Sequence, residues 1–133
     1  MFSFLYMQDF FINGTKRTPQ VRLENGTIHF SGRSVPADPA VFYQPIYNWI
    51  YEYHNKGLIS TNIVLNFEYI NTASTKWIFN ILKVLGKADK AHEKLKITWH
   101  FEEGDDDMFD LGNIFQSLVP TKFKFVETKE KAN

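Results

Sequence analysis

Hydrophobic and polar residues alternate one by one in the early part of this chain. In the stretch TPQVRLENGTIHFSG, Val21 and Leu23 alternate with polar neighbours before Asn25-Gly26, and Ile28 resumes the alternation after that pair. Such a period places every second side chain on one face of a strand, and Asn-Gly favours the tight turn of a hairpin. The pattern predicts two antiparallel strands joined at Asn25-Gly26.

Helical spacing follows the hairpin. Asp38 is suited to cap a helix whose first residue is Pro39, and Gly57 is suited to end it. Pro45, inside this run, should bend the helix or mark its effective start. The apolar residues expected on the buried face recur at intervals of three and four: Val41, Phe42, Ile46, Trp49, Ile50 and Tyr53.

The next stretch, STNIVLNFEYI, is almost continuously apolar and rich in β-branched residues. This composition is typical of a central strand that is covered on both faces. A second helix is predicted from Thr75, ending near Gly86 or about two turns later, if it continues through the charged run KADKAHEK. Its apolar face comprises Trp77, Ile78, Ile81, Leu82 and Leu85.

The remaining chain predicts a strand, a helix and a final strand. LKITWHFEE alternates, DDDMFDLGNIFQSLV begins with acidic residues suited to a helix N-terminus, and KFKFVE alternates again. Met108, Leu111 and Phe115 share one face of that third helix. The predicted order β-β-α-β-α-β-α-β favours an α/β fold, with a mixed sheet layered with helices.

Composition narrows the class of protein. The 133 residues suit a single domain, 1–133, and 44% of them are hydrophobic. Formal net charge is zero, cysteine is absent, and the opening MFSFLYMQDFF is too short to span a membrane, so we expect a cytoplasmic protein without nucleic-acid or membrane partners. Residues 1–6 would be an upstream extension if translation began at Met7, and residues 128–133 resemble a frayed tail.

No pattern for catalysis stands out. The acidic run Glu102–Asp107 lacks the spacing of a calcium loop and fits a solvated loop with a helix cap, and the four histidines show no paired metal spacing. The run GRS lacks the glycines and lysine of a phosphate loop, and Arg33 within it fits a structural ion pair better than an anion contact. We predict no catalytic residue, metal or cofactor.

Small residues gather in NTAST, where the buried strand meets the second helix. Asn71, Thr72 or Ser74 could simply cap that helix, because their side-chain oxygens can accept bonds from free backbone N–H groups. Alternatively, a phosphate on a hydroxyl here would be tolerated, since a helix N-terminus favours negative charge. A partner reading this surface would then meet a dianion in place of a neutral group.

Four long runs resemble the SiaC-type regulatory phosphoproteins and together cover nearly the whole chain. The most specific pieces follow the patterns GRSxPxDPxxFYxPxxxW and YxNTxSxK. The runs are GTKRTPQVRL (14–23), GTIHFSGRSVPADPAVFYQPIYNWIYEY (26–53), FEYINTASTKWIFNIL (67–82) and ITWHFEEGDDDMFDLG (97–112).

The resemblance implies a fold like that of STAS-domain anti-sigma-factor antagonists, which agrees with the predicted order of elements. In such proteins a partner-switching kinase phosphorylates a Ser or Thr at the start of the second helix, and a PP2C-like phosphatase removes the phosphate. SiaC-like proteins in the unphosphorylated form bind and activate a diguanylate cyclase, the enzyme that makes c-di-GMP, and phosphorylation blocks this. The resemblance thus implies a bacterial signalling protein that is not an enzyme.

The family's modified threonine directly follows the motif asparagine, which here makes it Thr72 after Asn71. The usual Asn-Thr-Ser-Ser run is broken by Ala73, which removes one hydroxyl and leaves Ser74 and Thr75 as alternatives. The expected partner contacts are Asn71, Thr72, Ser74 and Lys76, with Trp77 buried below them. Two other functions remain open: a STAS-like module acting on a kinase of the anti-sigma-factor type, and a small metal-dependent enzyme using the acidic loop 102–107.

Overall fold

A computed structural model of the protein describes residues 6–129. The expectations of an upstream extension and a frayed tail fall largely on residues 1–5 and 130–133, which lie outside the described residues. The elements in chain order are β1 Phe10–Ile12, β2 Gln20–Glu24, β3 Thr27–Ser34, α1 Pro39–Asn55, β4 Thr61–Ile70, α2 Thr72–Ala88, β5 Leu95–Glu102, α3 Asp106–Leu118 and β6 Phe123–Thr128.

All of these strands belong to one sheet in the order β1-β2-β3-β4-β5-β6. β1, β2 and β3 pair antiparallel, whereas β3, β4, β5 and β6 pair parallel. The mixed α/β sheet predicted from the sequence is therefore confirmed, with one strand, β1, added before the predicted hairpin. The hairpin itself forms as expected around Asn25 and Gly26, where the φ angle of Gly26 is 92°.

A crossover through one helix leads to each of β4, β5 and β6, and each crossover moves one position across the sheet in the same direction. Because such crossovers are right-handed, they place α1, α2 and α3 on the same face of the sheet. The core lies between that face and the helices. Its largest fully buried side chains are Trp99, Tyr43, Phe30, Leu23, Ile28, Ile46, Ile50, Ile63, Leu65, Ile78, Ile81 and Leu82.

The expectation that β4 is covered on both faces is wrong. Its buried residues alternate with exposed ones, because the three crossovers run in one direction and, within residues 6–129, leave the other face of the sheet without helices. Val64 is only half-buried, so the apolar run in the sequence overstates how much of the strand is enclosed. The exposed side chains on this outer face include Asn62, Asn66 and Glu68.

In α1 the predicted cap and first residue are confirmed: Asp38 accepts a hydrogen bond from the Val41 N–H, and Pro39 begins the helix. Val41, expected in the core, is 71% exposed, and Tyr43 lies there instead. The helix runs through Pro45, so that proline does not mark its start. Pro45 withholds only one helical N–H, a loss that packing of the buried face outweighs.

The second helix begins at Thr72, earlier than the predicted Thr75, because Asn71 caps it, and it ends at Ala88. In α3, Met108 and Phe115 are buried as predicted. α3 packs against β5, and the Trp99 indole N–H donates to the Met108 carbonyl at 3.0 Å.

Candidate functional site

The start of α2 is held against the carboxyl end of β3. β3 and β4 run parallel, with Ser34 opposite Ile70 in the last pair of their register. One residue further on, the backbone N–H of Asn71 donates to the Ser34 carbonyl at 3.0 Å. The first turn of α2 therefore lies at the carboxyl edge of the parallel strands, the edge at which α/β proteins place their sites.

Asn71 is the residue that caps α2. Its side-chain oxygen accepts a hydrogen bond from the Ser74 N–H at 2.9 Å, and its backbone is extended, with φ −83° and ψ 168°. Its carbonyl accepts both the backbone N–H and the hydroxyl of Thr75, each at 2.9 Å. Of the three candidate caps left open by the sequence, Asn71 thus takes the role, and Thr72 is not needed for it.

The three hydroxyl groups of this turn have different surroundings. Thr72, the first helical residue, is exposed, and among residues 6–129 no other group makes a hydrogen bond to its hydroxyl. Ser74 is 0% exposed. Thr75 is half-buried and its hydroxyl is bonded to the preceding turn. Thr72 alone presents an unengaged hydroxyl to solvent.

Below Thr72, Ser74 belongs to a buried group of hydroxyls. The Ser74 hydroxyl donates to the Ser34 carbonyl at 3.3 Å, and the Ser34 hydroxyl donates back to the Ser74 oxygen at 2.8 Å. Because each hydroxyl has one proton, the 2.6 Å contact between Tyr43 and Ser34 has the Tyr43 phenol as donor. The group ties α2 to β3 and to α1.

Burial governs the ionisation of this group. It raises the pKa of Tyr43 to about 12, and the neighbouring hydroxyls of Ser34 and Ser74 offset only part of that effect. Tyr43 therefore stays neutral and able to donate its proton at physiological pH. Ser74, predicted to contact a partner, is internal, and its hydroxyl is already engaged within the fold.

An aromatic contact connects this turn to α1. The Tyr43 ring stacks on Trp77 with centroids 6.0 Å apart, and Trp77 meets Tyr47 edge to face at 6.3 Å. Trp77 is half-buried, so the expectation of a buried Trp77 holds in part. Lys76 is exposed one helical turn after Thr72, where side chains four apart are neighbours on the helix surface.

A family model decides the class of this protein. The model of the SiaC family, described as regulatory phosphoproteins, matches residues 12–128. The chain belongs to the SiaC family. An uncharacterised protein of Pseudomonas aeruginosa strain UCBPP-PA14 is 24% identical over 112 residues, which are 83% of this chain and 89% of that protein.

Solved structures of SiaC share the fold. Apo-SiaC from Pseudomonas aeruginosa superposes with a TM-score of 0.81 at 23% identity, covering 90% of this chain and 98% of that one. SiaC in the crystal structure of the diguanylate cyclase SiaD in complex with its activator SiaC gives a TM-score of 0.83 at 22% identity, covering 90% and 100%. The six-stranded sheet and three helices of this SiaC family member are those of the SiaC structures.

Other candidate sites in this SiaC family protein are occupied by structural contacts. Asp105, from the acidic run, caps α3 by accepting the Met108 N–H at 3.1 Å, and Arg33 lies 3.7 Å from Glu68, confirming the predicted ion pair. Within residues 6–129, no three His, Asp or Glu side chains gather as metal ligands would. In the same part of the chain, no helix has the length and apolarity needed to cross a bilayer.

Sequence reasoning missed two members of the buried hydroxyl group, Ser34 and Tyr43. Both lie in the GRSxPxDPxxFYxPxxxW pattern, where Ser34 reads as part of a turn and Tyr43 as one of several aromatic residues of a helix. The signal that could have found them is a small polar residue at the buried end of a strand, since a buried hydroxyl requires a hydrogen-bond partner.

Proposed function

We propose that this protein is a non-enzymatic signalling adaptor of a bacterial cytoplasm that is switched by reversible phosphorylation of Thr72. In the unphosphorylated form it binds and activates an output protein, a diguanylate cyclase, and so controls c-di-GMP synthesis. A protein kinase adds the phosphate and a PP2C-like phosphatase removes it. Phosphorylation ends the interaction with the cyclase.

The observation that carries the proposal is the different exposure of the three hydroxyls of the NTAST turn. Thr72 is exposed, Ser74 is fully buried and Thr75 is bonded to the Asn71 carbonyl. A kinase must reach the hydroxyl it modifies, so Thr72 is favoured over both alternatives. Membership of a family of regulatory phosphoproteins supports a phosphorylated hydroxyl in this fold.

The start of α2 would tolerate the added charge. The first N–H groups of a helix lack partners within it. The Ser74 N–H donates to the Asn71 side chain, so the backbone N–H groups of Thr72 and Ala73 are left to bind an anion. The positive end of the helix dipole further favours a phosphate there by about 0.3–1 kcal/mol. The fold itself need not change when Thr72 is modified.

The proposed output partner comes from the family. SiaC of Pseudomonas aeruginosa is the activator of the diguanylate cyclase SiaD, and this chain has the same fold. A phosphate carries about −1.5 to −2 charges, so a partner whose interface fits a neutral threonine would have to desolvate this charge in order to bind. Phosphorylation should therefore repel the cyclase from the surface around Thr72, Asn71 and Lys76.

The test is to incubate the protein with its kinase and ATP, map the phosphate by mass spectrometry, and assay cyclase activity with modified and unmodified protein. We expect one phosphate on Thr72, none on Thr72→Ala, and activation by the unmodified form only. A phosphate on Thr75 with Thr72 unmodified would refute the site. Binding of an anti-sigma-type kinase without any cyclase activation would favour the alternative STAS-like module.

A further inference from the structure

The outward face of α2 is basic. Lys76, Lys83 and Lys87 are exposed on it, and α2 contains no Asp or Glu, although the whole chain has a net charge of zero. Across residues 6–129 the ion pairs are Arg22 with Glu24 and Arg33 with Glu68, so none of these three lysines is paired with a carboxylate. Lys83 lies over the Phe79 ring at 6.0 Å from its centroid. Three cations without a carboxylate partner on one helix form a local basic patch that the zero net charge of the chain does not reveal.

The three lysines line up with Thr72. Counting from Thr72, the intervals are four, seven and four residues, and at about 100° per residue these positions fall within roughly 60° of one another around the helix. Lys76 and Lys87 are about 16 Å apart along the axis, three helical turns. We call Thr72, Lys76, Lys83 and Lys87 the lysine ridge.

Apolar side chains flank the lysine ridge on both sides. Towards α1, half-buried Trp77 contacts Tyr47, which stacks on Tyr51, and Tyr51 is exposed. Towards α3, the stacked rings of Phe79 and Phe115 hold the two helices together. The exposed residues of α3 include Ile114 and Leu118, at 54% and 57%. The ridge is thus a basic line between two apolar borders.

We propose that the lysine ridge is the docking surface for an acidic amphipathic helix of the output partner, an inference that rests on the proposed function and specifies its interface. Carboxylates spaced at four and seven residues along a three-turn helix would meet the three lysines. The apolar residues of that helix would pack on Trp77 and Tyr51 at one border and on Ile114 and Leu118 at the other. This is the helix-in-groove mode of recognition, with charge fixing the register.

A protein helix fits this surface better than a polyanion. α3 runs beside α2 and starts at the same edge of the sheet, and its first two turns carry Asp106, Asp107 and Asp110. These carboxylates would repel the continuous negative charge of nucleic acid or of a lipid surface, whereas a partner helix can place acidic residues beside the three lysines and uncharged residues near α3. Nucleic-acid sites also use more extended basic surfaces than three lysines.

The ridge gives the phosphate on Thr72 a specific action. Thr72 and Lys76 are four residues apart, so a phosphothreonine at 72 would pair with Lys76 and neutralise one of the three cations. The same dianion would stand at the end of the docking surface and repel the acidic helix. Phosphorylation would then weaken docking both by removing attraction and by adding repulsion.

The test compares two double charge reversals in the full chain, with binding to the cyclase measured by titration. Lys83→Glu/Lys87→Glu alters the ridge without touching Thr72, and Lys96→Glu/Lys124→Glu, on the opposite face of the sheet, is the matched control. We expect at least tenfold weaker cyclase binding for the ridge variant and unchanged binding for the control. Should the ridge variant fold poorly, Lys83→Gln/Lys87→Gln replaces it, with the same expected direction.

A carbodiimide cross-link provides the second arm, because it joins a lysine amine directly to a carboxylate with loss of water. Peptides linking Lys83 or Lys87 to Asp or Glu of a partner helix would support the proposal. Cross-links only from Lys96 or Lys124, or equal affinity of the ridge variant and the wild-type protein, would overturn it while leaving the phosphorylation switch intact.

If the wild-type protein binds no cyclase, the proposed function fails and the ridge is tested alone. The probe is then a synthetic helical peptide of Leu and Glu, with Glu at intervals of four and seven, beside a fluorescent single-stranded oligonucleotide. Peptide binding that Lys83→Glu/Lys87→Glu abolishes would support the ridge. Failure of the peptide to bind, or lysine-dependent binding of the oligonucleotide alone, would refute it.

Discussion

The two ends of α2 handle polar groups in opposite ways. At the C-terminal end, the Asp89 carboxylate is 2% exposed and accepts backbone N–H groups of Glu93, Lys94 and Leu95 at 3.0–3.2 Å. At the N-terminal end, the cap is neutral and the hydroxyl of Thr72 is exposed with no bonded partner among residues 6–129. At the C-terminal end of α2 a charged group is buried and fully hydrogen-bonded, and at the N-terminal end a neutral hydroxyl is exposed to solvent.

The difference shows which end of α2 the fold depends on for its stability. Asp89 fixes the loop that leads from α2 into β5, since its two oxygens receive donors from three successive residues. No group in the described part of the chain is bonded to the Thr72 hydroxyl in the same way. A position can be modified reversibly only where the native state does not need its original chemistry, and α2 meets that condition at its start and not at its end.

The largest effect should come from Asp89→Asn. The amide replaces one accepting oxygen with an NH₂ group that faces backbone donors, so a buried N–H loses its partner and a charged hydrogen bond is lost. We expect the free energy of unfolding to fall by about 2–3 kcal/mol, measured by urea denaturation. Asp105→Asn is the control: its carboxylate caps α3 through one bond, asparagine caps equally well, and the change should be close to zero.

The pH dependence of the stability difference between wild type and Asp89→Asn tests whether the carboxylate charge causes it. Burial would raise the pKa of Asp89, but the N–H groups of Leu95, Lys94 and Glu93 outweigh it and hold the pKa below the usual value of 3.8. A carboxyl group with a depressed pKa stabilises the fold fully above its unfolded value, and the stabilisation is lost as pH falls through the folded pKa. The gap between wild type and Asp89→Asn should be constant from pH 7 to about 5 and narrow below about 4. A gap independent of pH down to 2 would mean that the charge of Asp89 contributes nothing.

An intermediate effect on stability is expected for the buried hydroxyls beneath Thr72. Tyr43→Phe removes the donor to Ser34 and leaves the ring stacking on Trp77 in place, so the loss should be about 1 kcal/mol, the net value of one buried hydrogen bond. Chemical denaturation measures it. A loss above about 3 kcal/mol would show that the cluster of buried hydroxyls below Thr72 is as critical to the fold as Asp89. The contrast between the two ends of α2 would then disappear.

The smallest effect on stability belongs to Thr72→Ala. Because Asn71 provides the cap and Thr72 is exposed, the free energy of unfolding should change by no more than about 0.5 kcal/mol, as for other surface substitutions. Asn71→Ala, which deletes the cap itself, should cost about 1 kcal/mol and serves as the reference. If Thr72→Ala proved the more damaging of the two, Thr72 would be a structural residue.

Periodicity predicted most of the fold because local pattern decides it. The hairpin at Asn25-Gly26, the cap at Asp38 and the buried face of α3 all follow from residues close together in sequence. The exposed outer face of β4 cannot be predicted from local sequence, because it depends on the direction of three successive crossovers and not on the residues of that strand. β1 is three residues long and too short for its alternation to be recognised.

The candidate site divides in the same way. Asn71 as cap and Thr72 at the helix start are within reach of sequence, since capping involves neighbouring residues. That Ser74 faces inward depends on Ser34 and Tyr43, which are 40 and 31 residues distant and meet it only when β3 and β4 pair side by side. Hydroxyls next to each other in sequence thus differ in exposure for reasons that only tertiary structure supplies.

The central claim is that a phosphate on Thr72 changes what the surface binds and leaves the fold as it is. The most direct measurement is a titration of the diguanylate cyclase with protein phosphorylated stoichiometrically at Thr72, beside the unmodified protein, both with matching circular dichroism spectra. We predict at least tenfold weaker binding of the phosphorylated form, about 1.4 kcal/mol, with Thr72→Glu weakened in the same direction. Equal affinity of all three forms for the cyclase would contradict the claim.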